Sequence, residues 1–155
     1  MTRMKLALGS VAAIAFGGVV LAAGHADNSR QIEARNGIMT AMALNSSVVG
    51  DMARGNTEYD AAAAQSAANA LAGLGMVGTG LLWPEGSSSD DVEGGRALAK
   101  IWEDRADFDQ KWNDFAAAGV ALQAVAGDGL EPMQAALADL GKSCGACHDT
   151  YRKPQ

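Results

Sequence analysis

The chain is short of the residue types that build metal clusters and acid–base sites. It has two cysteines and two histidines in 155 residues. That is too few cysteines for a disulfide framework, and a structural zinc site needs four ligands. One of the histidines, His25, falls in an N-terminal segment that reads as a removable leader. No alternating apolar–polar run is long enough for a strand, and β-branched residues are scarce, so a sheet-based fold is excluded. No internal repeat is evident. Positive charge is in deficit: 12 Lys and Arg stand against 18 Asp and Glu, a formal net charge of −6. An acidic chain argues against nucleic acid and anionic lipid as partners.

What is present begins with an export signature. Arg3 and Lys5 form a basic start, Leu6 to Ala23 is apolar, and Gly24-His25-Ala26 supplies small residues at the positions a signal peptidase reads. The competing reading is a retained anchor, since the apolar run is close to the length needed to span a bilayer. The tandem Gly17-Gly18 and the small-residue exit favour cleavage, taken here after Ala26. Residues 1–26 are then a signal peptide and 27–155 one domain of 129 residues, enough for a real core. Losing Arg3 and Lys5 moves the net charge to about −8. The expected location is the periplasm, with no membrane insertion after the leader is removed.

The remaining cysteines and histidine stand together as Cys144-Gly145-Ala146-Cys147-His148. Cys-x-x-Cys-His is the attachment signature of a c-type haem. The thiols add to the haem vinyl groups and the histidine supplies a nitrogen to the iron. On a helix these residues stand at i, i+3 and i+4 and share one face. A thioredoxin-type pair would need a strand before it, and a plain disulfide would not need the histidine. Export agrees, because the compartment outside the cytoplasm is oxidising.

Four helices follow from apolar periodicity. The first covers about 28–54, with Ile32, Arg35, Met39, Met42, Ser46 and Val49 on one stripe. The second covers about 60–80 with Asp60 as N-cap, weakened at its end by four glycines. An irregular stretch covers 81–95, rich in Gly and Ser. The third covers about 92–126, capped by Asp90 or Asp91, with Leu98, Ile101, Arg105, Phe108, Trp112 and Phe115 on its stripe. The fourth covers about 130–152, with Pro132 in its first turn. Helices of this length predict an all-α antiparallel four-helix bundle.

Arg35 is informative by itself. A charge on an apolar stripe needs an anion or a route to water. A haem propionate would supply the anion; snorkelling to the bundle end is the alternative. Met39, one turn on, is as pure sequence a core residue.

The haem motif near the C-terminus of an exported four-helix chain resembles the class II c-type cytochromes, whose best-known members are the cytochromes c′. The segments that carry the resemblance are Ala34-Arg35-Asn36-Gly37-Ile38-Met39, Glu58-Tyr59-Asp60, Ile101-Trp102 with Phe108 and Phe115, and the run from Cys144 to Arg152. The resemblance implies one covalent haem c with its iron, and His148 as proximal ligand. It implies Arg35 on a propionate, with Asn36 beside it. Met39 matches the position facing the distal side of the iron. It is a sixth ligand in low-spin members and a bystander in five-coordinate ones, and Met42 is its rival by register. Arg152 matches a basic residue near the proximal histidine, or else serves the helix dipole. Arg105 is a second candidate for a propionate or carboxylate, or an exposed end residue.

The expected function is electron transfer to redox partner proteins. The alternative is binding of nitric oxide or carbon monoxide at an open distal site. An enzyme is not expected, since no distal histidine and no acid–base pair accompany the motif. Homodimers through the first two helices are implied by the family, and Ile38, Asn45, Val48 and Met52 form a partly apolar face suited to that or to packing within the monomer.

Overall fold

The computed structural model describes residues 27–154; the expected leader lies outside the described residues. The chain forms α1 (Ser29–Ala53), α2 (Ala61–Gly75), a short α3 (Thr79–Leu82), a one-turn α4 (Lys100–Glu103), α5 (Arg105–Val125) and α6 (Leu130–Tyr151). Among the described residues there is no strand, and the one β-type contact is an isolated bridge between Ala97 and Arg152. Each long helix packs on two others, in the cycle α1, α2, α5, α6.

The alternation of direction is read from hydrogen bonds at one end of the bundle. Tyr59, just before α2, donates to the carbonyl of Ala126 just after α5. Gln134 at the start of α6 donates to the carbonyl of Ala53 at the end of α1. The ends of α1 and α5 therefore meet the starts of α2 and α6. The haem motif, late in α6, lies toward the opposite end with the long loop 83–99. There Asn28 donates to the carbonyls of Glu85 and Gly86 and ties the start of α1 to the loop.

Asp60 caps α2 as expected, accepting from the backbone N–H of Ala63 at 2.8 Å. Two helix boundaries differ from the sequence reading. The second helix stops at Gly75 and resumes as α3 after Gly78. The third starts not at 92 but at 105, behind α4, with Asp104 as the cap of α5. The reason lies in local competition. Asp91 does not cap a helix; its carboxylate accepts from both the N–H and the hydroxyl of Ser88, closing a turn. Gly94 then takes φ +75°, outside the helical region. Beyond it the loop pairs with the C-terminus: the N–H groups of Leu98 and Lys153 donate to Tyr151 and Arg96 carbonyls.

The core is filled by Val49, Leu71, Phe108, Leu122, Met133 and Leu140, all essentially buried. Alanines 64, 67, 68 and 72 give α2 a smooth face, which lets α5 approach closely. Gly75 marks the tightest point. A Cβ there would lie 2.8 Å from the backbone Cα of Ala116 and 3.3 Å from the Phe115 ring. Gly75→Ala gains about 1 kcal/mol of helix propensity, but overpacking against backbone costs about 1–3 kcal/mol. The expected net is a loss of up to about 2 kcal/mol, seen as a lower thermal midpoint of the haem-loaded protein.

On α1 the suggested partner face is narrower than the sequence suggested. Met52 belongs to the core, and Ile38 and Asn45 are half-buried. Leu44 and Val48, one turn apart, are the exposed apolar pair.

Candidate haem site

The last two turns of α6 carry the motif. Cys144, Cys147 and His148 share a face, as i, i+3, i+4 spacing requires, and all three line one cavity of about 350 Å³. Both thiols are free. Burial raises the pKa of each, that of Cys147 to about 11, with the Lys111 charge opposing. Burial first, and then the charges of Arg152 and Arg96, hold His148 below its usual value, so the imidazole is neutral and able to offer a lone pair.

Besides Ile101 of α4, three further elements build the walls. From α5 come Phe108, Lys111, Trp112 and Phe115, the first, third and last on the apolar stripe seen in the sequence. From the loop comes Trp83, packed edge-on against Phe108 at 5.0 Å and Trp112 at 5.2 Å between ring centroids. Trp112 is held by donating to the carbonyls of Gly75 and Val77. From α1 come Arg35, Asn36, Met39 and Met42. Met39 and His148 thus border the same space from two different helices, and the rival Met42 borders it too, more deeply buried.

Arg35 is buried to 5 % exposure. Its guanidinium donates to the hydroxyl and the carbonyl of Ser87, at 3.2 and 3.0 Å. Both partners are uncharged, and burial pushes the guanidinium below its ordinary pKa. An anion brought into the adjoining cavity would meet a desolvated cation already held in place.

Other candidates separate. Arg105 leaves the cavity to others: it donates to both oxygens of Asp109, to the Thr79 hydroxyl and to the Trp83 carbonyl. It is a carboxylate partner and a brace for the loop. Trp102 packs against the core, its indole N–H buried with no partner, and it is not among the residues lining the cavity. Arg152 lines the cavity.

Sequence reasoning missed Arg96 and Lys111, which also line it. Lys111 sits three residues after Phe108, beside the apolar stripe, so helix geometry could have found it. Arg96 carries no periodic signal. It is brought in by the loop's pairing with the C-terminus, where it donates to the Lys153 carbonyl at 3.0 Å. Arg35, Arg96, Lys111 and Arg152 give the lining four cations, and among the described residues no carboxylate lines it. In a chain with excess acid this local excess of positive charge beside aromatic walls suits an apolar group that bears negative charge at its edge.

Three kinds of likeness accompany this geometry. The family model described as Cytochrome C′ matches residues 30–152. A cytochrome c-554 of Cereibacter sphaeroides is 44 % identical over 124 residues, covering 80 % of this chain and 93 % of that one. Among solved structures, a cytochrome c′ from Rhodobacter spheriodes superposes with a TM-score of 0.80 at 38 % identity, covering 84 % of this chain and all of that one. A nitric oxide complex of a mutant cytochrome c prime from Alcaligenes xylosoxidans superposes with a TM-score of 0.71 at 33 % identity, covering 83 % of this chain and 98 % of that one.

Proposed function

We propose that this chain, which belongs to the cytochrome c′ family and carries haem c covalently, is an exported electron carrier of the periplasm. When bound, the haem supplies a reversible one-electron Fe(III)/Fe(II) couple. The residues around it have separate tasks. Cys144 and Cys147 would hold the group through thioethers, and His148 would give a nitrogen to the iron. Arg35 would take a propionate with the help of Asn36, while Arg96 and Arg152 add positive charge beside His148. Trp83, Phe108, Trp112 and Phe115 exclude water from the ring.

The observation that supports the carrier reading is that the Met39 thioether borders the same cavity as the His148 imidazole from another helix. A thioether is a good sixth ligand for haem iron and raises its potential. A filled sixth position leaves electron transfer as the available chemistry. A second reading has its own support, since one structural neighbour is a nitric oxide complex and the cavity that Met39 borders has aromatic walls in Trp83, Phe108, Trp112 and Phe115. In that reading Met39 is pocket wall and small neutral gases reach the iron.

Absorption spectra of the holoprotein, ferric and ferrous, with and without carbon monoxide, decide between them. Sharp, split ferrous bands that the gas barely changes are the expected result. A broad high-spin ferrous spectrum that converts on adding the gas would replace the carrier reading with the gas-binding one. The exposed Leu44 and Val48 on α1 suit a second copy of this chain, and light scattering across a dilution series tests that homodimer.

A further inference from the structure

We propose that Asp107 sets the reduction potential of the haem through its charge, held behind the cavity wall by Tyr151 and Lys111. The inference rests on the reading of the cavity as a redox haem site. Tyr151, the last residue of α6, is 3 % exposed and forms part of the wall. Its hydroxyl donates to Asp107 Oδ2 at 2.6 Å, with the Asp104 carbonyl a longer second acceptor at 3.3 Å. Asp107 stands in the first turn of α5 and pairs also with Lys111 Nζ at 3.4 Å. Lys111 is itself a wall residue. Both neighbours that carry Asp107 toward the cavity therefore touch it, while Asp107 does not line it.

The carboxylate is one side chain removed from the cavity on two sides, through the Tyr151 hydroxyl and the Lys111 ammonium, both on wall residues. Tyr151 and Lys111 in turn keep the carboxyl below its usual range, with Lys100 contributing. Asp107 is thus a fixed negative charge at neutral pH. Reduction of the iron adds one electron and removes one positive charge. A nearby carboxylate opposes that step, and a nearby ammonium favours it. The pair nearly balances; removing one member uncovers the other.

A purely structural role is the competing account, because Asp107 also anchors a buried tyrosine. Asp107→Asn separates the two, since the amide oxygen still accepts from Tyr151. The midpoint potential of each haem-loaded variant is read by spectroelectrochemistry. Asp107→Asn should favour the ferrous form by about threefold to tenfold, roughly 30 to 60 mV at about 59 mV per tenfold. Lys111→Gln should move it the other way. Asp107→Glu should restore the original value. Tyr151→Phe keeps the charge and should move the potential less than Asp107→Asn does. The Asp107 side chain is 41 % exposed, so the shift should shrink as salt is added.

An unchanged or lowered potential in Asp107→Asn overturns the proposal. So does an equal shift in Tyr151→Phe, which would assign the effect to the tyrosine's position. Absence of any haem couple in the unaltered protein would instead overturn the haem-site reading on which the inference rests.

Discussion

Cys144→Ser together with Cys147→Ser is expected to yield a chain from which all haem is extracted by acidified organic solvent, whereas the unaltered protein keeps all of its haem. Two thioethers fail to form, and serine offers no comparable nucleophile. The consequence extends beyond the cofactor. The four helices enclose a cavity of about 350 Å³ walled by Trp83, Phe108, Trp112 and Phe115. Without a group locked in it, these side chains face water or collapse together. Van der Waals contacts are lost and the buried Arg35 keeps only neutral partners. The destabilisation should be on the order of 3–5 kcal/mol, a fall of roughly 10–20 °C in thermal midpoint. Haem staining of a denaturing gel and a circular-dichroism melt measure the two effects. Haem that survives extraction in the double variant would remove the two cysteines from the role proposed for them.

Met39→Ala carries the second large effect, and it bears on function. If the thioether binds the iron, its removal opens the sixth position without touching the walls from α5 and α6. The ferrous spectrum should change from sharp and split to broad, and carbon monoxide should bind where it did not. The midpoint potential should fall by on the order of 100 mV, about a fiftyfold loss of ferrous preference at about 59 mV per tenfold. Met39→Leu is the control for volume, since it fills the space and removes only the ligand. It should behave as the alanine variant does in spectrum and potential. Met42→Leu should leave the spectrum unchanged, because Met42 is the deeper residue one turn on and packs in the core. A spectrum that changes with Met42 and not with Met39 would shift the register of α1 by one turn. A spectrum indifferent to both would favour an open site and the binding of small gases.

The bundle and the attachment motif were legible because both are local in sequence. Period-3.6 stripes place one apolar face on each long helix, and Cys144, Cys147 and His148 fall on one face wherever that segment is helical. Asp60 and the glycines at 73–80 marked helix ends through short-range backbone chemistry. The start of α5 was misplaced for a reason of the same scale. Asp90 and Asp91 look like caps, but Asp91 spends its carboxylate on Ser88 and the chain turns away. Asp104, 13 residues on, takes the cap.

Only half of the cavity's charge, Arg35 and Arg152, could be read in advance. Arg35 stood out because it interrupts an apolar stripe, yet its partner Ser87 is 52 residues away in a loop with no periodicity. Arg96 reaches the cavity only because residues 96–98 pair with the C-terminus. Tyr151 and Asp107 are 44 residues apart and meet only when α5 and α6 pack. By itself the sequence determined that this chain forms long helices and carries covalent haem, since helix periodicity and thioether chemistry depend on neighbours within a few residues. The tertiary structure decided which further charges, Arg96 and Lys111, join Arg35 and Arg152 around the cavity. Electrostatics acts through space, and the groups that act together here come from a loop, a terminus and three helices.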